Sequence, residues 1–176
     1  MSNEASFIEI KDALERANSS EALKEWKKNH PESFLAYAQT FLDSNAPRKE
    51  WYIGFYDKKE HKIATFVVGD DVSLSIDDDN VLGDTSMNVS PISLEDVKLS
   101  LREVLETIAI VHKKEYPREA QMEIIVNLQF SESEKTHWNI SYFTRSFKVI
   151  NFKAIPSSGE VISHGINSIM DFGGKN

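Results

Sequence analysis

The chain has 176 residues and a formal net charge of −8 at pH 7, which argues against general affinity for nucleic-acid phosphates or for anionic membranes. Its 40% apolar content favours a folded chain of one domain or two small halves. The absence of cysteine excludes disulfides, a thiol nucleophile and cysteine-based metal sites. Because no signal-peptide pattern and no run of about 20 apolar residues is visible, we expect a cytoplasmic protein.

The first 45 residues carry helix signals. Apolar residues recur at helical spacing over residues 7–17, and Ser20 is a suitable N-cap for a second helix through Trp26. Proline is tolerated in the first turn of a helix, so Pro31 is expected to begin a third one. The apolar stripe of this third helix would run from Phe34 to Leu42.

From Trp51 the apolar period changes from that of a helix to that of a strand. Alternating residues predict strands at 51–56, 62–68 and 72–76, with a hairpin turn at 57–61. Three consecutive antiparallel strands, a meander, are the simplest arrangement.

An acidic tract at residues 77–84 follows the third strand. It lacks the closing glutamate of a calcium-binding loop, so a solvated linker is the favoured interpretation, and weak binding of a divalent cation stays open. Together with neighbouring turn-forming residues, the tract predicts a linker between two halves, centred on residues 81–92.

The second half begins with the clearest helical pattern. Ser93 and Asp96 have the spacing of a capping box, an apolar stripe follows, and Pro117 stops the helix. The elements predicted after it are a strand at 122–128, a hairpin of strands at 138–143 and 147–154, a short strand at 160–163 and a short terminal helix at 165–172.

Two segments about 87 residues apart share one apolar rhythm: Trp51–Tyr56 and Trp138–Phe143. Internal similarity of this kind indicates repeated architecture. We therefore predict an α+β fold of two related halves, each an amphipathic helix packed on an antiparallel β-meander. The expected organisation is an N-terminal helix at 1–19, a first half at 20–80, a linker at 81–92, a second half at 93–172 and a frayed tail at 173–176.

Residues 93–164 resemble the PepSY-like family. The resemblance lies in the leading helix, Trp138–Tyr142 and the segment Phe147–Ile162, which ends in the turn Ser158-Gly159-Glu160-Val161. Ile155 and Pro156 stand where the family usually has Asp and Ala. The resemblance implies a PepSY-like or cystatin-like fold and a role in restraining peptidases or regulating other proteins at the cell surface.

The chain offers little catalytic chemistry. Its five histidines show no metal-ligand spacing, and neither a glycine-rich phosphate loop nor a nucleophile elbow is present. We therefore predict no catalytic residue, no metal ligand and no cofactor. For Trp51 and Trp138 two interpretations stay open, core packing beneath the helices and a ligand-stacking platform.

Residues opposite the tryptophans on the strands are better candidates for a binding surface. They are Tyr52, Tyr56, Asn139, Ser141 and Phe143. The resulting hypothesis is a non-catalytic binding or regulatory module that recognises a protein or peptide through an open sheet face or a strand edge. The alternative is a small-molecule or enzymatic pocket between helix and sheet, with inward polar groups such as His137, Asn139 or Glu123. A purely structural role, as a monomer or a homodimer, is the third hypothesis.

Overall fold

The computed structural model describes residues 7–43, 50–75 and 89–169. These residues form three helices: α1 (Ile10–Ser19), α2 (Glu21–Asn29) and α3 (Leu101–Glu115), with a short 3₁₀ helix at Leu94–Asp96. They also form eight strands: β1 (Phe34–Asp43), β2 (Trp51–Asp57), β3 (Lys62–Val68), β4 (Val72–Leu74), β5 (Gln121–Ser131), β6 (Lys135–Thr144), β7 (Lys148–Ala154) and β8 (Val161–Ser168). The predicted α+β class is confirmed. The acidic tract 77–84 and the tail 173–176 lie outside the described residues.

The eight strands make one antiparallel sheet in the order β4-β3-β2-β1-β5-β6-β7-β8. Strands β1–β4 form one meander that follows α1 and α2, and β5–β8 form a second that follows α3. The two meanders meet where β1 pairs with β5, and Gln39 is the register partner of Asn127 in that pairing. The sheet is therefore continuous across both halves of the chain.

The hydrophobic core lies between the helices and one face of the sheet. α1 contributes Ile10 and Leu14 to it, and α3 contributes Leu101 and Ile108. The strands supply alternate apolar residues to the same cluster. This follows from the period of two, which turns every second side chain of a strand toward one face.

Trp51 and Trp138 are buried in this core, with ring centroids 6.4 Å apart. The indole Nε1 of Trp51 donates a hydrogen bond to the carbonyl oxygen of Ile8 at 2.7 Å, which ties the N-terminal segment to the sheet. Core packing is therefore the correct interpretation of the two tryptophans.

The helix predicted between Phe34 and Leu42 is wrong: these residues form strand β1. The apolar residues that suggested a helical stripe lie on both faces of a strand. Ala38 and Leu42 point into the core, whereas Phe41 lies on the opposite face beside Tyr52. β1 pairs with β2 on one side and β5 on the other, and these non-local hydrogen bonds override the local pattern.

Two boundaries in the second half also differ from the prediction. α3 begins at Leu101, because the capping box is formed by Ser100 and Glu103. The backbone amide of Ser93 instead donates to the hydroxyl of Thr136 at 3.1 Å. The terminal helix predicted from residue 165 is wrong as far as Ser168, because β8 continues to that residue in pairing with β7.

The cap of α3 yields a testable prediction. Ser100 Oγ accepts a hydrogen bond from the Glu103 amide at 3.2 Å, and Glu103 Oε2 accepts one from the Ser100 amide at 2.8 Å. These bonds also hold the pKa of Glu103 below its usual value. We expect Ser100→Ala to lower the free energy of unfolding by about 0.5–2 kcal/mol in urea denaturation. Ser93→Ala is the matched control, because the Ser93 hydroxyl caps no helix; an equal loss in both variants would contradict this assignment.

Candidate functional site: the open face of the sheet

One face of the sheet carries no helix among the described residues. The buried residues of α1, α2 and α3 all belong to the core on the other face. Apolar residues of the uncovered face, among them Phe41, Tyr52, Ile125 and Phe143, are half-buried and take no part in that core. An antiparallel sheet with one packed face and one exposed face presents such a surface to solvent or to a partner.

A row of amide side chains crosses the middle of this face. Register partners place Tyr52, Gln39, Asn127, Asn139 and Lys153 side by side across five adjacent strands. The side chains of Gln39, Asn127 and Asn139 make no hydrogen bond to any described residue. We call these three residues the amide row. Each amide offers two donors and an acceptor to a bound partner.

An aromatic and aliphatic strip runs beside the amide row. Phe41, Ile125 and Ser141 are neighbours across β1, β5 and β6. The ring of Phe41 meets that of Tyr52 edge to face, with centroids 5.8 Å apart. The Ser141 hydroxyl is satisfied within the sheet, since it donates to Asn151 Oδ1 at 2.6 Å. The strip therefore contributes contact area more than hydrogen bonds.

Beyond this strip the face ends at a carboxylate pair. Asp43 and Glu123 are register partners, and Phe143 lies next to Glu123 on β6. This end of the face therefore carries two acidic residues, in contrast to the uncharged amide row.

The opposite end of the amide row has its charge neutralised. Lys153 Nζ contacts Glu134 Oε1 at 2.7 Å. This contact, with hydrogen bonds from Ser131 and Ser133, lowers the pKa of Glu134 to about 2. Lys153 therefore adds little net positive charge to the face.

Of the predicted surface residues, four lie together and one lies apart. Tyr52, Asn139, Ser141 and Phe143 border the amide row or the strip beside it. Tyr56 is on the same face but near its far end, where it pairs with Phe34. It is buried, and its hydroxyl is hydrogen-bonded to His61 Nδ1 at 2.9 Å. We define the central patch as Gln39, Phe41, Tyr52, Ile125, Asn127, Asn139, Ser141 and Phe143.

Half of the central patch was not identified from the sequence. Gln39 and Phe41 were missed because β1 was taken for a helix. Ile125 and Asn127 belong to a strand that was predicted, and its alternation with Ile124 and Val126 would have indicated their outward orientation.

Beside the patch, a tyrosine packs over a glycine on the open face. The ring of Tyr37 covers Gly54, where an added Cβ would lie 2.1 Å from a ring atom. The Tyr37 hydroxyl is 2.7 Å from the hydroxyl of Thr65 on the next strand. Any larger residue at position 54 would displace this ring from its place in the structure. Glycine is therefore required there to keep the Tyr37 ring against the sheet.

The outer edge of β8 is a second accessible feature. β8 contains no charged residue and no proline, and it is the last strand of the described sheet. Ile162 and Ile166 are 41% and 38% exposed. Edges of natural sheets are usually protected by charge, proline or a bulge, and β8 has only a register irregularity opposite Lys153 and Ala154.

The polar groups named for the alternative pocket do not converge between helix and sheet. His137, Asn139 and Glu123 alternate with core residues and belong to the open face. His137 is buried there, with Nδ1 2.9 Å from the Lys135 carbonyl oxygen and Nε2 3.2 Å from the Gln129 amide nitrogen. Within residues 7–43, 50–75 and 89–169, no group of three or more His, Asp or Glu side chains is arranged to hold a metal ion.

No helix in the described part of the chain has the length and apolar character needed to span a bilayer. Comparison with protein-family models and with curated proteins found no match. Among solved structures the chain is similar to a protein from Clostridium difficile 630 that is provisionally described as a lipoprotein. The similarity covers 83% of this chain and 90% of that one, with a TM-score of 0.51 and 12% sequence identity. At this level of identity the similarity concerns the fold alone.

Proposed function

We propose that this protein is a non-catalytic binding module that recognises another protein through the open face of its sheet. The observation that carries the proposal is the central patch, where half-buried aromatic and aliphatic side chains outside the core surround three amides that have no hydrogen-bond partner among the described residues. Core packing accounts for neither feature.

The patch has the composition of a binding hot spot. Tyr52, Phe41 and Phe143 provide aromatic surface, and aromatic residues are enriched at the centres of interfaces. The amide row provides hydrogen bonds that fix orientation. The partner is therefore expected to present an apolar surface with hydrogen-bonding groups that meet the amide row.

The edge of β8 supports a second route of recognition. An extended peptide can add to an uncharged edge by backbone hydrogen bonds, and its alternate side chains then contact exposed residues such as Ile166. Ile166→Lys would place a charge on this edge and block the addition, while leaving the central patch intact.

We also propose that the chain consists of two halves related by duplication, at about residues 20–80 and 93–172. The strand order supports this, because each meander runs outward from the central β1–β5 pair in chain order. Trp51 lies beside Thr40, one residue after Gln39, and Trp138 lies beside Leu128, one residue after Asn127. Gln39 and Asn127 are register partners at the junction of the two meanders. Each tryptophan therefore occupies the same position relative to this junction within its own meander. The PepSY-like or cystatin-like character of each half stays a prediction, as does the regulatory role that it implies.

The proposal is tested by capture of partners from a native lysate of the source cells, followed by reconstitution with the purified partner. We expect Tyr52→Ala and Phe143→Ala each to weaken binding at least about tenfold, because truncation of a central aromatic anchor typically costs more than 1 kcal/mol. Ile110→Ala is the matched control, since Ile110 is 70% exposed on α3, on the opposite side of the sheet. Hydrogen exchange in the complex should show protection in β1, β2, β5 and β6.

A partner that binds all three variants equally, or that protects only the helices, would contradict the proposal. Protection confined to β8, with loss of binding in Ile166→Lys, would replace the open face by the strand edge. The cytoplasmic location stays a prediction. The description of the structural neighbour as a lipoprotein suggests the alternative, a location outside the cytoplasm.

A further inference from the structure

A groove of about 450 Å³ lies on the helix side of the sheet, opposite the central patch. α3 forms one wall with Leu105 and Ala109, and the ends of β1 and β5 form the other with Leu42 and Ile124. This volume is within the range of small-molecule sites, which are mostly apolar with a few polar groups. Among the described residues, the groove is also lined by Phe7, Asp43, Arg102, Glu106, Gln121, Met122 and Tyr142.

Tyr142 gives the groove a specific polar group. The residue is 2% exposed and lines the groove, and its hydroxyl bonds no described residue but is not fully buried, so it reaches the space inside the groove. Burial raises the pKa of this phenol to about 12, so the hydroxyl keeps its proton at neutral pH. An acceptor on a ligand in the groove would take the hydrogen bond that this hydroxyl otherwise gives to water.

The ring of Tyr142 is also fixed in position. The imidazole of His112 on α3 packs against it edge to face, with centroids 5.2 Å apart, and the ring of Phe152 does so at 5.1 Å. A phenol held between two rings is pre-organised, so a ligand need not spend free energy on ordering it.

The charged residues at the mouth of the groove favour neither a cationic nor an anionic ligand. Arg102 lies 5.8 Å from the ring centroid of Phe7, in cation–π geometry. Asp43 and Glu106 bring carboxylates to the same mouth. Since a charged ligand would also lose hydration against apolar walls, an uncharged molecule is favoured.

From the apolar walls, the unpartnered Tyr142 hydroxyl and the mixed charges of the rim, we infer that the groove binds an uncharged, largely apolar small molecule through a single carbonyl or ether oxygen. The Tyr142 hydroxyl donates the hydrogen bond that orients it. This site is distinct from the central patch, because the two share no residue.

Three probes of similar size test the inference: benzophenone, diphenylmethane, which lacks the carbonyl, and the anion diphenylacetate. Binding is followed by NMR through the methyl groups of Ala109 and Met122. We expect benzophenone to bind more tightly than either of the other two. Tyr142→Phe should weaken benzophenone binding about 2- to 10-fold, the value of one hydrogen bond, and leave diphenylmethane binding unchanged.

Leu105→Trp is the blocking variant, because a larger side chain at this half-buried position occupies the groove. It should abolish the response of Met122 to both neutral probes, with circular dichroism confirming that the fold is retained. The inference is overturned if neither neutral probe shifts these methyl groups at its solubility limit. It is also overturned if Tyr142→Phe weakens both neutral probes equally, or if diphenylmethane binds wild-type protein as tightly as benzophenone does.

Discussion

Replacement of Trp51 by phenylalanine is expected to destabilise the protein more than the same replacement of Trp138, by about 1 kcal/mol or more. Both indoles are buried in the same core. They differ in their N–H groups. Trp51 Nε1 donates to the carbonyl oxygen of Ile8, whereas Trp138 Nε1 has no acceptor among the described residues. Trp51→Phe leaves a carbonyl without its donor, and Trp138→Phe removes a donor that is already unsatisfied.

The measurement is urea denaturation at neutral pH, followed by far-ultraviolet circular dichroism, because each variant loses one fluorescent indole. Trp51→Ala extends the comparison and should cost about 3–5 kcal/mol, the usual loss for a large aromatic residue removed from a core. Since domains are stable by only about 5–15 kcal/mol, this variant is expected to be the least stable of the set. Equal losses for the two phenylalanine variants would show that the bond to Ile8 contributes nothing.

Replacing single leucines of α3 by alanine should reveal two different environments along its apolar stripe. Leu101 is fully buried, so Leu101→Ala is expected to lower the free energy of unfolding by about 2–5 kcal/mol. Leu105 is half-buried and lines the groove, and Leu105→Ala should cost only about 1 kcal/mol because less apolar surface is lost from the core. The sequence alone predicts equal effects, since both leucines have the same helical phase.

Chemical denaturation of both variants, with Ile110→Ala as the exposed control on the same helix, decides between these expectations. The order of losses should be Leu101, then Leu105, then Ile110. A loss for Leu105→Ala as large as that for Leu101→Ala would mean that the groove is closed in solution, and it would remove the basis for a ligand there.

The parts of the fold that the sequence predicted correctly depend on local patterns. β3 alternates between buried and less buried residues after a polar turn at residues 58–61, and β6 and β7 alternate over most of their length around the turn at residues 145–147. Ser20 caps α2 through a hydrogen bond from the Leu23 amide to its hydroxyl at 3.2 Å. In these segments the backbone preference, the turn residues and the burial pattern agree, so no distant contact is needed to identify the element.

The predictions that failed concern segments in which local signals conflict. Near the start of α3 the chain offers two serines followed three residues later by an acid, Ser93 and Ser100. The segment after Ser93 is held by distant partners instead, since the amides of Lys98 and Leu99 both donate to the carbonyl oxygen of Pro156. The helix therefore starts at the second serine, Ser100. Residues 165–168 have weak preferences of their own, and pairing with β7 makes them a strand.

By itself, the sequence determined the α+β class, the position of most strands and the outward orientation of Tyr52, Asn139, Ser141 and Phe143, because a period of two specifies the face of a strand without knowledge of its neighbours. Only the tertiary structure decided that residues 34–43 are a strand and that this strand joins both meanders into one sheet. Apolar residues on both faces of β1 fit a helix equally well, and hydrogen bonds to β2 and β5 resolve the ambiguity. The central patch depends on that junction, since Gln39 and Asn127 come together only when β1 pairs with a strand more than 80 residues away in the chain.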